Sequence, residues 1–326
     1  MNKITSANPG TEIAGVGTKK PSRLLCLVKK YIYHRYLFML LMPTIILFII
    51  FNYIPMYGVT IAFKDYKFLK GITGSPWVGF DHFKLMFSGM SFLSVFRNTI
   101  VLSVLNLVFG FPAPIIMALL INELRGKKFK KFVQTASYLP YFLSWVILAG
   151  IIIPLLSPSI GPVGYIMKAV GMKPINFVGD PHWFRFTLVV TGMWKNAGWN
   201  TVVYLASIAG INPELYEAAI VDGAGRFRRA ISITLPSLMP VITFFLILSM
   251  GCLISDDFDQ IFNLYNAAVM QIADVISTYT YRTGIVLMEY SYGAAVGLFR
   301  NVIAIALILI SNFILRKTSD NEYGIF

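Results

Sequence analysis

Apolar residues along this chain come in blocks too long to be the buried faces of a water-soluble fold. Six blocks stand out, at 37–58, 97–121, 133–156, 184–210, 237–258 and 294–315. A hydrocarbon core about 30 Å thick is crossed by a helix of roughly 20 such residues, so each block predicts a transmembrane helix. Strands of a membrane β-barrel would alternate at every second position, and none of the blocks does. The fold class read from the pattern is an all-α membrane protein with six spans.

Composition agrees. Of 326 residues, 56% are hydrophobic and only 13% charged, with a mean hydropathy of +0.68. An average soluble domain is about 25% charged. A soluble globular enzyme, a disordered chain and a disulfide scaffold are all excluded on this ground. The net charge of +13 then has to be located. Lys and Arg number seven up to Arg35, five in 122–132 (Arg125, Lys127, Lys128, Lys130, Lys131), three in 211–236 (Arg226, Arg228, Arg229) and two at Arg316 and Lys317. The other side carries seven, among them Lys64, Lys84, Lys168 and Arg282. Positive residues mark the cytoplasmic side, so both termini are expected inside.

The chain then divides into a cytoplasmic basic tail and interfacial helix (1–36), the first span (37–58) and an extracytoplasmic segment (59–96). A five-span core (97–315) follows with its cytoplasmic loop at 211–236, and a cytoplasmic tail closes the chain (316–326). The basic N-terminal stretch is too long, and its apolar block too extended, for a cleavable signal. Cys26 and Cys252 read as packing residues. The histidines, His34, His82 and His182, fall outside the spans. The outer segment holds the aromatic turn Trp77-Val78-Gly79-Phe80 before a short helix. The acidic run Asp256, Asp257 and Asp259 lacks the remainder of a calcium loop and reads as a solvated rim. No metal site is expected.

The most informative stretch is the 211–236 connection. Asn212 caps a helix that has Pro213 at its first position. Glu217-Ala218-Ala219 continues it with small side chains, and Gly223 permits a sharp turn. A second helix follows and is expected to break before Pro236 and Pro240. Such a helix-turn-helix, small at its bend, is shaped to enter a cleft in a partner.

This stretch carries Glu217, Ala218, Ala219, Gly223, Ile233, Leu235 and Pro236 at the spacing E-A-A-x3-G-x9-I-x-L-P. It resembles the signature of permease subunits of binding-protein-dependent ABC importers. Trp77-Val78-Gly79-Phe80, Trp194-Lys195-Asn196-Ala197-Gly198-Trp199-Asn200 and Ala294-Ala295-Val296-Gly297-Leu298-Phe299 resemble the MalF/LplB-like sugar branch, and the likeness runs from about Arg35 to Arg316. Within that branch, Val275-Ile276-Ser277-Thr278-Tyr279 and Val296-Gly297-Leu298-Phe299 look most like the LplB-type subgroup, associated with complex and uronide-containing oligosaccharides.

The resemblance implies a type I ABC importer permease fold in a bacterial cytoplasmic membrane. It implies an ATP-driven, alternating-access importer of oligosaccharides, with acidic, uronide-containing ones among the candidates. The partners would be a homologous second permease, two cytosolic ATP-binding subunits and an extracytoplasmic solute-binding protein. Glu217, Ala218, Ala219, Asp222, Gly223, Leu235 and Pro236 would form the ATPase-coupling element. The chain would be no enzyme and carry no cofactor, with ATP and Mg on the partner subunits. Its own residues agree: a P-loop needs Lys to cradle phosphate, and after Gly10 and Gly15 that position is Val16. No nucleic-acid partner is implied; membrane lipid surrounds the spans.

Polar residues at membrane depth usually face a cavity or one another. On the fourth block Lys195, Asn196, Trp199, Asn200 and Ser207 share an arc of roughly 140° at ~100° per residue. Amides and a flat ring suit a sugar. The alternatives are that Trp194 and Trp199 pack between helices, that the amides bond other helices, and that Lys195 is a structural partner. Arg300 lies ~9 Å inside the sixth block; it either snorkels outward or, with Lys195, meets an acidic substrate. Another solute class within the same superfamily is the nearest rival. A secondary transporter would show inverted repeats, and a membrane enzyme would need intramembrane His or paired carboxylates; the sequence shows neither.

Overall fold

The structure, a computed structural model, describes residues 33–254 and 256–318. Most of the basic tail expected over 1–36, and residues 319–326, lie outside the described residues. By internal packing the chain divides into two units, Met1–Gly58 and Val59–Phe326.

The described part of the first unit is helix α1 (Arg35–Phe48), prolonged by a π-helical turn at Ile49–Tyr53 into Ile54–Met56. None of these residues is buried. Its leucines, isoleucines and methionines are exposed on every face. A helix apolar all round is built for surroundings that are themselves apolar.

The helices of the second unit that matter for the site are α2 (Met90–Asn122), α3 (Lys127–Tyr138), α4 (Trp145–Leu155), α5 (Pro181–Ala209), α6 (Pro213–Val221), α7 (Arg226–Ile254), α8 (Phe258–Leu264), α9 (Ile276–Thr280) and α10 (Tyr290–Thr318). The β-structure among the described residues is one isolated bridge, Lys64 to Trp77. It closes the aromatic turn ahead of α2, where Phe63 stacks on Trp77 at 5.6 Å. Three apolar clusters hold the unit together. One centres on Trp145, Leu148, Phe184 and Leu188, one on Phe92, Ile254, Ile276 and Val296, and one on Ile115, Tyr204 and Leu238.

Four helical runs are long and apolar enough to cross a membrane: Arg35–Phe63, Met90–Asn122, Arg226–Ile254 and Tyr290–Ile314. They overlap the expected spans 37–58, 97–121, 237–258 and 294–315. Two expectations are revised. The block at 133–156 is not one straight helix but two segments, Lys127–Phe142 and Trp145–Leu155, bent by 104°. The 3-10 turn at Leu139–Phe142 carries Pro140, and Ser144 caps α4 through the Ile147 N–H. The block at 184–210 is α5, 29 residues long and so ~43 Å at 1.5 Å per residue. It is less uniformly apolar than those four runs, and polar side chains along it are satisfied internally: Thr187, Thr191 and Thr201 are buried and bond backbone carbonyls.

The expected break before Pro236 is also absent. α7 runs from Arg226 through Pro236 and Pro240. A π-helical turn at Ala230–Thr234 closes the Leu235 N–H on the Ala230 carbonyl. This changes the bonding register where proline cannot donate.

Candidate functional site

Two arrangements stand out, one just past the C-terminal end of α5 and one along its middle. The first is α6 and its turn. The Asn212 side chain accepts the Glu214 N–H at 3.1 Å, with Pro213 at the first helical position. At the other end the Ala224 N–H reaches the Ala219 carbonyl at 2.8 Å and the Gly223 N–H reaches Ile220 at 3.0 Å. Those two bonds are a Schellman motif, which needs a left-handed residue just past the helix. Gly223 supplies it at φ +74°.

Glu217, Ala218, Asp222 and Gly223 are exposed and Ala219 half-buried. Leu215, Ile220, Val221 and Phe227 add exposed apolar area beside them. Leu235 is set apart, packed against the cluster of Ile115, Tyr204 and Leu238, and Pro236 is exposed at the base of α7. The Tyr216 and Thr234 hydroxyls lie 2.9 Å apart, tying α6 to the π turn of α7.

The second arrangement is a cavity of about 470 Å³ between α2, α5, α7 and α8. Asn106, Asn196, Asn200, Gln260, Asp256 and Asp257 are its strongest polar groups. The side chains of Asn106, Asn196 and Asn200 have no hydrogen-bond partner among the described residues, so their amides are free for a solute. Gln260 is different, donating to the Leu188 carbonyl at 2.6 Å and to Thr191 at 3.0 Å.

The seven-residue stretch from Trp194 to Asn200 presents two faces. Asn196 and Asn200 line the cavity. Lys195 and Trp199 do not; they hold the bend between α3 and α4. The Lys195 ammonium donates to the Leu143 carbonyl and, at 3.3 Å, to that of Tyr141. Carbonyls freed by a broken helix need such partners. Lys195 also lies 5.3 Å from the Trp145 ring centroid. Trp199 stacks on Tyr141 at 4.9 Å, nearly parallel. Gly198 lies so close to α3 that a Cβ there would sit 2.0 Å from the Ser137 carbonyl oxygen. Ser207 is occupied with the Val203 carbonyl.

The acidic run is only partly a rim. Asp257 and Asp259 are both exposed, and Asp257 in addition caps α8 through the Gln260 N–H at 3.2 Å and accepts the Trp145 indole N–H at 2.8 Å. Asp256 accepts the Ser277 N–H at 3.2 Å and lies within the field of Arg300, which is half-buried on α10. Among the described residues no three His, Cys, Asp or Glu side chains converge on a metal position. Further out, Arg282 pairs with Asp274 at 2.5 Å and Arg185 donates to Asn98 at 2.7 Å; Asn98 in turn donates to the Gln271 and Asp274 carbonyls, which pins the loop before α9 to α2.

Asn106 and Gln260 were not singled out from the sequence. The signal for Asn106 was present: a lone amide in an apolar block merits the same weight as those of α5. It opens the π-helical turn Asn106–Gly110, a feature that often marks functional positions.

Residues 110–319 match the family described as binding-protein-dependent transport system inner membrane component. Protein LplB of Bacillus subtilis (strain 168) is 43% identical over 292 residues, spanning 90% of this chain and 91% of that one. The polygalacturonan/rhamnogalacturonan transport system permease protein YteP of the same organism is 41% identical over 326 residues, the full length of both chains. A chain from the crystal structure of a bacterial ABC transporter involved in the import of the acidic polysaccharide alginate superimposes with a TM-score of 0.83. It is 42% identical, and the match covers 90% of this chain and 99% of that one.

Proposed function

The chain belongs to the family of binding-protein-dependent transport system inner membrane components, and from that premise we propose that it imports acidic oligosaccharides. It is an all-helical, multi-pass permease subunit of the ABC importer type and not an enzyme. The proposal adds six spans with both termini in the cytoplasm, α5 being the span whose polar residues face inward. It retains the divisions 1–36, 37–58, 59–96, 97–315 and 316–326. It adds a second permease, two ATP-binding subunits and an extracytoplasmic solute-binding protein as partners, with ATP and Mg held by the ATPase pair. Glu217, Ala218, Ala219, Asp222 and Gly223 form the docking face; Leu235 and Pro236 anchor it.

The observation that carries the substrate reading is the full-length likeness to permeases whose names and titles give acidic or galacturonan polymers. The cavity is compatible with it. Asn196 and Asn200, joined by Asn106, offer amide donors and acceptors, and of the two lining carboxylates Asp257 accepts the Trp145 indole N–H and Asp256 the Ser277 N–H. Lys195 and Trp199 contribute by holding the bend behind the path.

The test is uptake of oligogalacturonate against a neutral oligosaccharide of equal length by cells carrying the complete importer. Asn200→Asp places a carboxylate on the path. Like charges 4 Å apart at an effective dielectric of 20 repel by roughly 4 kcal/mol, so acidic uptake should fall by a hundredfold or more while neutral uptake, if any, changes far less. Preference for the neutral sugar in the wild type would overturn the substrate class. In the same assay Lys195→Gln should leave the acidic preference unchanged, whereas loss of that preference would return Lys195 to the path.

A further inference from the structure

A second cavity, of about 350 Å³, opens at the end of the core that carries α6. It is lined by Asn122 at the end of α2, Lys130 and Gln134 on α3, Leu205, Ile208 and Ala209 on α5, and Tyr216 on α6. The side chains of Asn122, Lys130 and Gln134 have no hydrogen-bond or ion-pair partner among the described residues, and each is half-buried. No carboxylate lines the cavity; the neighbouring Glu123 faces Arg226 at 3.9 Å. One ammonium, two amides and a phenol thus converge above an apolar floor, with net positive charge. That is the chemistry of an oxyanion site.

The helix presenting the ammonium says where the oxyanion comes from. On α3, Lys127, Lys128 and Lys131 are exposed and have no ion-pair partner among the described residues. Between them Phe129 and Phe132 are 56% and 69% exposed. A short basic helix with protruding aromatics, bent 104° from its continuation, has the character of a segment lying in a membrane interface. Anionic headgroups are the oxyanions at that depth, and basic side chains attract them.

We propose that this cavity binds the phosphate of an anionic phospholipid and that its occupancy steadies the coupling element. The phosphate is held by Lys130 with Asn122 and Gln134, and the headgroup meets Tyr216. A lipid seated there braces α6 against α2, α3 and α5 at once, and Tyr216, which also bonds Thr234, carries the brace on to α7. The inference is independent of the substrate reading; it requires only the complete transporter.

The experiment uses the assembled importer in nanodiscs of phosphatidylcholine, with or without phosphatidylglycerol, and native mass spectrometry to count retained lipid. Phosphatidylglycerol should raise binding-protein-stimulated ATP turnover. Lys130→Gln should weaken its retention about tenfold or more, the loss of a charge-assisted hydrogen bond to the phosphate, and remove the stimulation. Lys130→Arg should keep both, and Lys131→Gln, on the same helix but off the cavity, should behave as wild type. Equal losses in Lys130→Gln and Lys131→Gln would reduce the effect to general surface charge and overturn the site. Inorganic phosphate added to phosphatidylcholine discs is the second arm. If it alone reproduces the stimulation, lipid as the source is overturned; no response in that arm supports lipid.

Discussion

Gly223→Asp is expected to stop transport while the chain still inserts and assembles. The glycine sits at φ +74° with nothing within 4 Å of the position its Cβ would take. Within this chain, then, a side chain costs only backbone strain, about 1–2 kcal/mol for an L-residue held left-handed. Asn adopts this conformation more readily, so Gly223→Asn isolates the side chain from the strain. If the exposed face of α6 docks on an ATPase, any side chain here enters that contact, and an unpaired carboxylate buried in it costs several kcal/mol. The expected order of transport is wild type, then Gly223→Ala, then Gly223→Asn, with Gly223→Asp below detection. ATP hydrolysis in Gly223→Asp should no longer respond to the loaded binding protein. Membrane yield and co-purification of the second permease report on folding independently. Full transport by Gly223→Asp would remove α6 from the coupling role.

Much of this was legible beforehand, and the reasons are local. The cap at Asn212, the proline after it and the glycine after α6 each determine backbone geometry within a few residues. The Schellman turn could therefore be anticipated from order alone. Apolar blocks located four helices because lipid exposure selects for uninterrupted apolarity. What the sequence concealed depends on distant partners. Lys195, Asn196, Trp199 and Asn200 share one arc of α5, and helical geometry alone could not say that the arc spans two environments. The bend between α3 and α4 divides it, since the free carbonyls of Tyr141 and Leu143 draw Lys195 to one side. Asp257 is exposed as expected, but nothing near it in sequence announces its bond to the Trp145 indole 112 residues away. Pro236 and Pro240 read as helix breakers because the π turn that accommodates Pro236 has no distinctive composition.

The same bend sets the second large expectation: Gly198→Ala should destabilise the core, although alanine is the better helix former. A Cβ at Gly198 would lie 2.0 Å from the Ser137 carbonyl oxygen and 2.5 Å from its carbon. Both are backbone atoms of α3, so no side chain can swing away. α3 and α5 must part, and overpacking of this kind costs about 1–3 kcal/mol. Separation also pulls the Tyr141 and Leu143 carbonyls from Lys195 and unstacks Tyr141 from Trp199. The unfolding temperature of the purified complex should fall by several degrees, about 2–4 °C per kcal/mol for a chain somewhat smaller than this one. Gly297→Ala is the matched control, a helical glycine on α10 with nothing within 4 Å of its Cβ position. There the substitution should be neutral or stabilise by up to about 1 kcal/mol, the ordinary helix preference of alanine over glycine. The two variants make the same chemical change with opposite expected signs. If Gly198→Ala proves as stable as Gly297→Ala, α3 does not approach α5 at Ser137, and the bend is not held from this stretch.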